Sequence, residues 1–221
     1  FAMLHLILAN KAYSSWSMRP WLVLRAAGID FEETVIALGE PDTAARIGAW
    51  SPSGLVPALR DGDLTVWDSL AIIEYLAERF PDRGIWPSAP SARARARSIA
   101  AEMHGGFMPL RQALPMNLRV KGTVPLADPA VLQAVGRVVD IWTTCLEAGP
   151  QGGDFLFGPF CAADAFYAPV VTRFETYGIE VPPQARRYMD TVLSFPPMQD
   201  WWAAARAEPW VIAKYEGILK E

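Results

Sequence analysis

The stretch LHLILANKAYSSWSMRPWLVLRAAGIDFEETVIAL, residues 4–38, decides the fold. Leu4 to Leu8 is a compact apolar run that suits a buried strand. Arg19 to Ala27 carries helix formers that stop at Gly28, a residue free to take the left-handed conformation of a C-cap. Phe31 to Leu38 is rich in β-formers again, and with a helix as the crossover the two strands are expected to run parallel. Between the first strand and the helix, AYSSWSMRP (12–20) crowds the hydroxyls of Tyr13, Ser14, Ser15 and Ser17 into five positions. That cluster either caps a helix or holds something.

After a looser, partly helical stretch to Trp50, Pro57 to Arg60, the turn Asp61-Gly62-Asp63 and Leu64 to Trp67 read as an antiparallel hairpin. Ser69 to Phe80 then places apolar residues at Leu70, Ile72, Ile73, Leu76 and Phe80, a helical spacing. The order βαβ, irregular segment, ββα predicts a four-stranded mixed α/β domain over residues 1–81. PDRGIWPSAP (81–90) holds three prolines and a glycine, so residues 82–90 are read as a linker. Beyond it the β signals nearly vanish. Helical periodicity runs through Ala92–Leu114, Pro129–Ala148, Ala162–Tyr177, Gln184–Leu193 and Met198–Ala207, which predicts an all-α domain over 91–221.

The chain has 221 residues, 52% of them hydrophobic, with a formal charge of −4. That balance offers no electrostatic footprint for nucleic acid, and the only locally basic run, Arg93, Arg95 and Arg97, reads as a solvated helix surface. No apolar run approaches the roughly 18 residues that cross a bilayer, and no signal-peptide layout opens the sequence, so a soluble cytoplasmic protein is expected. Cys145 and Cys161 lie outside any ligand spacing, and with only His5 and His104 beside them no metal site is expected.

Three short motifs fall where such a sheet would gather them: the hydroxyl cluster, SPSGLVP (51–57), and Asp68-Ser69 before a helix. Singly, each has a structural account as a cap or a loop. Together they resemble the glutathione transferase superfamily. SSWSMR (14–19) is similar to the SSCSWR signature of its zeta class, the maleylacetoacetate isomerases, and closer still is a bacterial subgroup reading NKxYSSWSxRPW. SPSGLVPAL resembles the family's NPxGxVPxL, and DSLAIIEYL its [ED]SxAIxxYL. The resemblance covers essentially the whole chain and implies a thioredoxin-like N-terminal domain, a helical C-terminal domain and a homodimer.

It also implies roles. Val56 and Pro57 carry the family's cis peptide and offer backbone groups to the cysteinyl part of glutathione. Ser69 and the N–H groups beside it take the γ-glutamyl carboxylate, since a helix N-terminus attracts anions, and Asp68 accepts the ammonium. A thiol with a free pKa near 8.5 must still be activated, and two pH units require about 2.7 kcal/mol. A helix N-terminus supplies roughly 0.3–1 kcal/mol and a hydroxyl hydrogen bond to a charged acceptor about 1.5–3 kcal/mol, so the two together suffice. Ser15 and Ser14 are the expected donors, with Tyr13 a distant third, and Ser17 is the expected cap of a helix whose third position is Pro20. Trp16, where the zeta class has cysteine, sets the chain apart from the isomerases.

From the helical domain, Trp16 joins His104, Met108, Arg111 and Gln112 as candidates for a second-substrate cleft. His104, Met108 and Arg111 share one face of the expected helix, and a core Met with a surface Arg is an equally good account. Cys161-Ala-Ala-Asp164 stands where the family has a capping box, with Asp164 expected to do most of the capping. The resulting expectation is a glutathione transferase acting on a small electrophile, the alternatives being a glutathione-dependent maleyl cis–trans isomerase and a non-catalytic binding member of the fold. A reductase would want a cysteine among residues 14–17, and none is there.

Overall fold

The computed structural model describes residues 3–148, 153–217 and 219. β1 (Leu4–Ala9), α1 (Ser15–Ala26) and β2 (Phe31–Ile36) form the expected parallel unit, with Leu4 opposite Phe31 and Ala9 opposite Ile36. After the short α2 (Thr43–Gly48), β3 (Ala58–Asp61) pairs antiparallel with both β1 and β4 (Leu64–Trp67), and α3 (Ser69–Arg79) follows. The sheet order is β2-β1-β3-β4.

Alternation along β1 serves two faces. Leu4, Leu6 and Leu8 join the main core with Met18, Leu22, Ile72 and Leu76, while Ile7 packs behind the sheet with Ile36, Ile47 and Ala58. Gly28 ends α1 as expected: at φ 60° it lets Ile29 N–H reach Leu24 O at 3.0 Å and its own N–H reach Arg25 O at 3.2 Å. This is the Schellman pattern, and buried Ile29 completes it.

The second half is helical: α4 (Pro90–Gly105), α5 (Met108–Ala113), α6 (Pro129–Glu147), α7 (Ala162–Thr176), α8 (Pro183–Ser194), α9 (Pro196–Ala207) and α10 (Ala213–Glu216). The single helix expected over Ala92–Leu114 is two. Phe107 adopts φ 62°, and a Cβ on Gly106 would lie 2.7 Å from Glu102 O, so the chain turns sharply where Gly105 and Gly106 permit it. His104 and the pair Met108 and Arg111 therefore sit on different helices rather than one face.

Between the halves, residues 81–90 are packed rather than loose. Pro81–Arg83 forms a 3-10 turn, Pro90 opens α4, Ile85 and Trp86 are buried, and Ile85 O accepts Ala162 N–H at 2.8 Å. α7 is the central post, packed against both α1 and α4. Its first turn is closed by Asp164, whose carboxylate accepts Cys161 N–H at 2.9 Å, Leu156 N–H at 3.1 Å and Tyr188 O–H at 3.1 Å. Complete burial still pushes Asp164 up to about 6, because three donors do not replace water around a carboxylate.

A long-range clasp joins the ends of the fold. Glu208 accepts the N–H groups of Lys11 (2.7 Å) and Ala12 (3.1 Å), and Trp201 Nε1 donates to Lys11 O at 3.0 Å. No helix among the described residues is long and apolar enough to cross a membrane.

Candidate functional site

The hydroxyl cluster divides its work differently from the expectation. Ser14 is the N-cap: its Oγ accepts Ser17 N–H at 3.2 Å and donates to Ser17 Oγ at 2.9 Å. Ser17 was expected in that role, but α1 begins two residues before it, so its N–H is the group being capped. The Ser17 hydroxyl instead accepts Ala9 N–H at 3.0 Å, anchoring the helix to the end of β1. Pro20 accordingly lies inside the helix rather than at its third position, and its missing N–H leaves Trp16 O without the usual helical donor.

Ser15, the first residue of α1, is buried and its Oγ accepts from Arg173 Nη2 at 3.3 Å. Its own proton has no acceptor among the described residues. Tyr13 is committed elsewhere: its hydroxyl donates to Glu216 Oε1 at 2.5 Å, and burial plus that carboxylate push it up to about 12.

The Val56–Pro57 peptide is cis, and Val56 makes no backbone hydrogen bond to the protein among the described residues. Asp68 caps α3 from a left-handed backbone (φ 74°), its Oδ1 accepting Leu70 N–H at 2.8 Å and Ala71 N–H at 3.4 Å. Its Oδ2 lies 3.3 Å from His104 Nε2. Ser69 is fully buried, and its hydroxyl accepts from Arg19 Nη1 at 3.2 Å, so it faces the guanidinium rather than open solvent. Arg19 Nη1 also lies 3.4 Å from His104 Nδ1. A guanidinium can only donate, which makes Nδ1 the acceptor and puts the proton on Nε2, toward Asp68. Burial pushes His104 down, in keeping with that neutral ring.

Trp16 sits among cations. The Arg19 guanidinium is 4.3 Å from its ring, Arg111 is 5.1 Å away, and His104 meets it edge-on at 5.1 Å. Arg111 is largely occupied in closing α4: Nε donates to Gly106 O at 2.9 Å and Nη2 to the carbonyls of Met103 and His104. Burial lowers Arg19, with Arg111 and Arg173 adding to the effect, and it pushes Arg173 down to about 10. All stay protonated at neutral pH. Neither Arg19 nor Arg173 has a carboxylate ion-pair partner among the described residues, and Arg19 Nε is buried with no acceptor.

Part of this set borders a cleft of about 770 Å³ between the sheet domain and the helices. Ser14, Ser15, Trp16, Met108, Arg111 and Gln112 line it, so seven of the expected residues meet there or, through His104, at its Trp16 wall. Val56, Pro57, Asp68 and Ser69 are not part of that lining. A separate cavity of about 700 Å³, bounded by Trp86, Phe157, Phe160, Cys145 and Cys161, touches none of the site residues.

The model of the family described as "Glutathione S-transferase, N-terminal domain" matches residues 13–79. Over 197 residues the chain is 33% identical to maleylacetoacetate isomerase of Pseudomonas aeruginosa, covering 84% of this chain and 89% of that one. The chain belongs to the glutathione S-transferase family. It is also 28% identical to maleylpyruvate isomerase of a Ralstonia species, over 78% of this chain and 86% of that protein. Among solved structures, a glutathione transferase homolog from Burkholderia with bound glutathione superposes with a TM-score of 0.70 at 25% identity, over 93% and 100% of the two chains.

In this transferase, the residues that sequence reasoning missed are Arg173, Lys214 and Tyr215, all of which line the cleft. Lys214 and Tyr215 arrive on α10, which carries no periodic signal. Arg173 was findable: it falls at helical spacing from Phe166 and Val170, on a face otherwise apolar, and a lone charge there implies a buried one. No Asp or Glu is among the described lining residues, whereas Arg111, Arg173 and Lys214 are.

Proposed function

We propose that this glutathione transferase binds glutathione along Val56, Pro57, Asp68 and Ser69 and activates its thiol at the N-terminus of α1. Ser15 donates the hydrogen bond to the thiolate. Ser14 supports that end of the helix as its cap, because its own proton already serves Ser17. The observation that carries the reading is the uncommitted Ser15 hydroxyl at a helix N-terminus, in a cleft with three cationic side chains. The thiolate then attacks a small electrophile held against Trp16, His104, Met108, Arg111 and Gln112.

Ser15→Ala is expected to lower turnover roughly 10- to 100-fold, the worth of a hydrogen bond to a charged acceptor, with glutathione affinity nearly unchanged. Unchanged turnover sinks the serine assignment. The cationic lining favours an electrophile that bears a carboxylate, and it supports a second reading, cis–trans isomerisation of a maleyl compound by addition and expulsion of the thiolate. Assays with maleylacetoacetate and maleylpyruvate decide between the two. Calorimetry with glutathione tests the third, non-catalytic reading, which requires that no heat of binding be seen.

We also infer a division into residues 1–81, a connecting stretch 82–90 and residues 91–221, a cytoplasmic location and a homodimer. Exposed Leu55, Leu64 and Trp67 on and beside the edge of the sheet support the dimer, since each is a large apolar side chain left to solvent in the single chain. Light scattering that gives a monomer mass would remove it.

A further inference from the structure

We propose that Arg173 is a positioning residue for thiol activation, acting through Ser15; the inference rests on the reading of Ser15 as the thiolate's donor. A serine hydroxyl has one proton and two lone pairs, and a hydroxyl in a cleft can ordinarily turn that proton toward any nearby acceptor. Here the choice is removed. Arg173 Nη2 donates to Ser15 Oγ at 3.3 Å, and a guanidinium has no lone pair to receive anything back. With the oxygen engaged from the α7 side, the Ser15 proton points away from Arg173, and the cleft is where an acceptor can arrive.

The guanidinium is itself fixed. Its Nη1 donates to the carbonyl of Leu114 and, at 3.5 Å, to that of Arg111, so the C-terminal end of α5 locks the fork in place. It is also electrically incomplete, because Arg173 is buried in the last turn of α7 and no carboxylate pairs with it among the described residues. A buried cation lacking a counter-charge stabilises whatever anion forms nearby. A thiolate held by Ser15 is such an anion, one hydroxyl away. Arg173 thus does two things at once: it fixes the direction of the donor and it lowers the free energy of the sulfur anion through that donor. It keeps its own proton throughout, and the thiol proton leaves to water.

The test titrates enzyme-bound glutathione by the ultraviolet absorbance of its thiolate, with no second substrate present, so a residue that only binds the electrophile is silent. Arg173→Gln is expected to raise the apparent thiol pKa by about one unit, which is tenfold less thiolate on the acid side. Arg173→Lys, which keeps the charge without the fork, is expected to give a smaller rise and serves if the Gln variant fails to fold, as judged by thermal unfolding. In a Ser15→Ala background neither change is expected to add a further shift. A wild-type titration in both Arg173 variants, alongside a raised pKa in Ser15→Ala, overturns the role of Arg173 and leaves Ser15 standing. An equal shift with and without Ser15 shows that Arg173 acts on sulfur directly and overturns the coupling. No shift in Ser15→Ala overturns the reading on which both rest.

Discussion

Helix α7 buries two ionised side chains of opposite sign, and they are treated in opposite ways. Asp164, in the first turn, meets Leu156 N–H, Cys161 N–H and Tyr188 O–H, so every strong contact it makes comes from the protein. Arg173, nine positions on, is given carbonyls and a serine oxygen but no anion among the described residues. A carboxylate surrounded by donors is a finished structural joint. A guanidinium left without a counter-charge is unfinished, and in the proposed mechanism the bound thiolate completes it. Burial raises the first and lowers the second, the direction desolvation demands of each sign.

The sharpest way to break the contrast is Asp164→Ala. It strands two backbone donors and a tyrosine hydroxyl in the core, and a loss of roughly 3 kcal/mol or more in unfolding free energy is expected from chemical denaturation, with residual turnover tracking the folded fraction. Ser15→Ala, on the Arg173 side, is expected to do the reverse, costing turnover as estimated above while moving stability by about 1 kcal/mol or less. Saturating glutathione at about a hundredfold over its Kd is next, with a stabilisation of roughly 2.7 kcal/mol, read as a rise in Tm.

pH separates the two groups more finely. Burial pushes the Asp164 carboxyl up to about 6 in the folded chain, from an ordinary 3.8. The native state therefore holds that proton more tightly than the unfolded chain does. The stabilisation from this group is full below the unfolded pKa and is lost as pH rises through about 6. Asp164→Asn cannot titrate, so its unfolding free energy is expected to fall less than the wild type's between those limits; parallel pH curves would show that Asp164 is not the titrating group. Tyr13→Phe should have the smallest effect, a change in turnover within about twofold, because the hydroxyl already serves Glu216. A tenfold loss would move the donor role to Tyr13.

What the sequence disclosed follows from how local each feature is. The opening βαβ unit, the hairpin around Gly62 and helix α3 depend on neighbours within a few positions, and each lies within two residues of its expected bounds apart from α1, which starts four residues early. That early start moved the cap from Ser17 to Ser14, because hydroxyl-rich sequence offers several equivalent caps and only the backbone chooses among them. The turn at Gly106 was hidden by periodicity, since apolar residues continue at helical spacing on both sides of it. The cleft was half legible. Ser14, Ser15 and Trp16 are local to one loop, whereas Arg173 reaches Ser15 across 158 positions and Glu216 reaches Tyr13 across 203, and no short-range pattern encodes such pairs.

The clasp at Glu208 has a consequence for how the chain is made. Lys11 and Ala12 sit on the loop that leads into the candidate site, and their N–H groups wait for a carboxylate roughly two hundred residues downstream. A ribosome releases the sheet long before it releases Glu208. During that interval water must satisfy the loop, and its final shape is acquired late, after α7 and α9 have been delivered. The site is thus expected to become competent only once Glu208 has been made, so a nascent chain that stops short of it carries the sheet without yet carrying the finished loop.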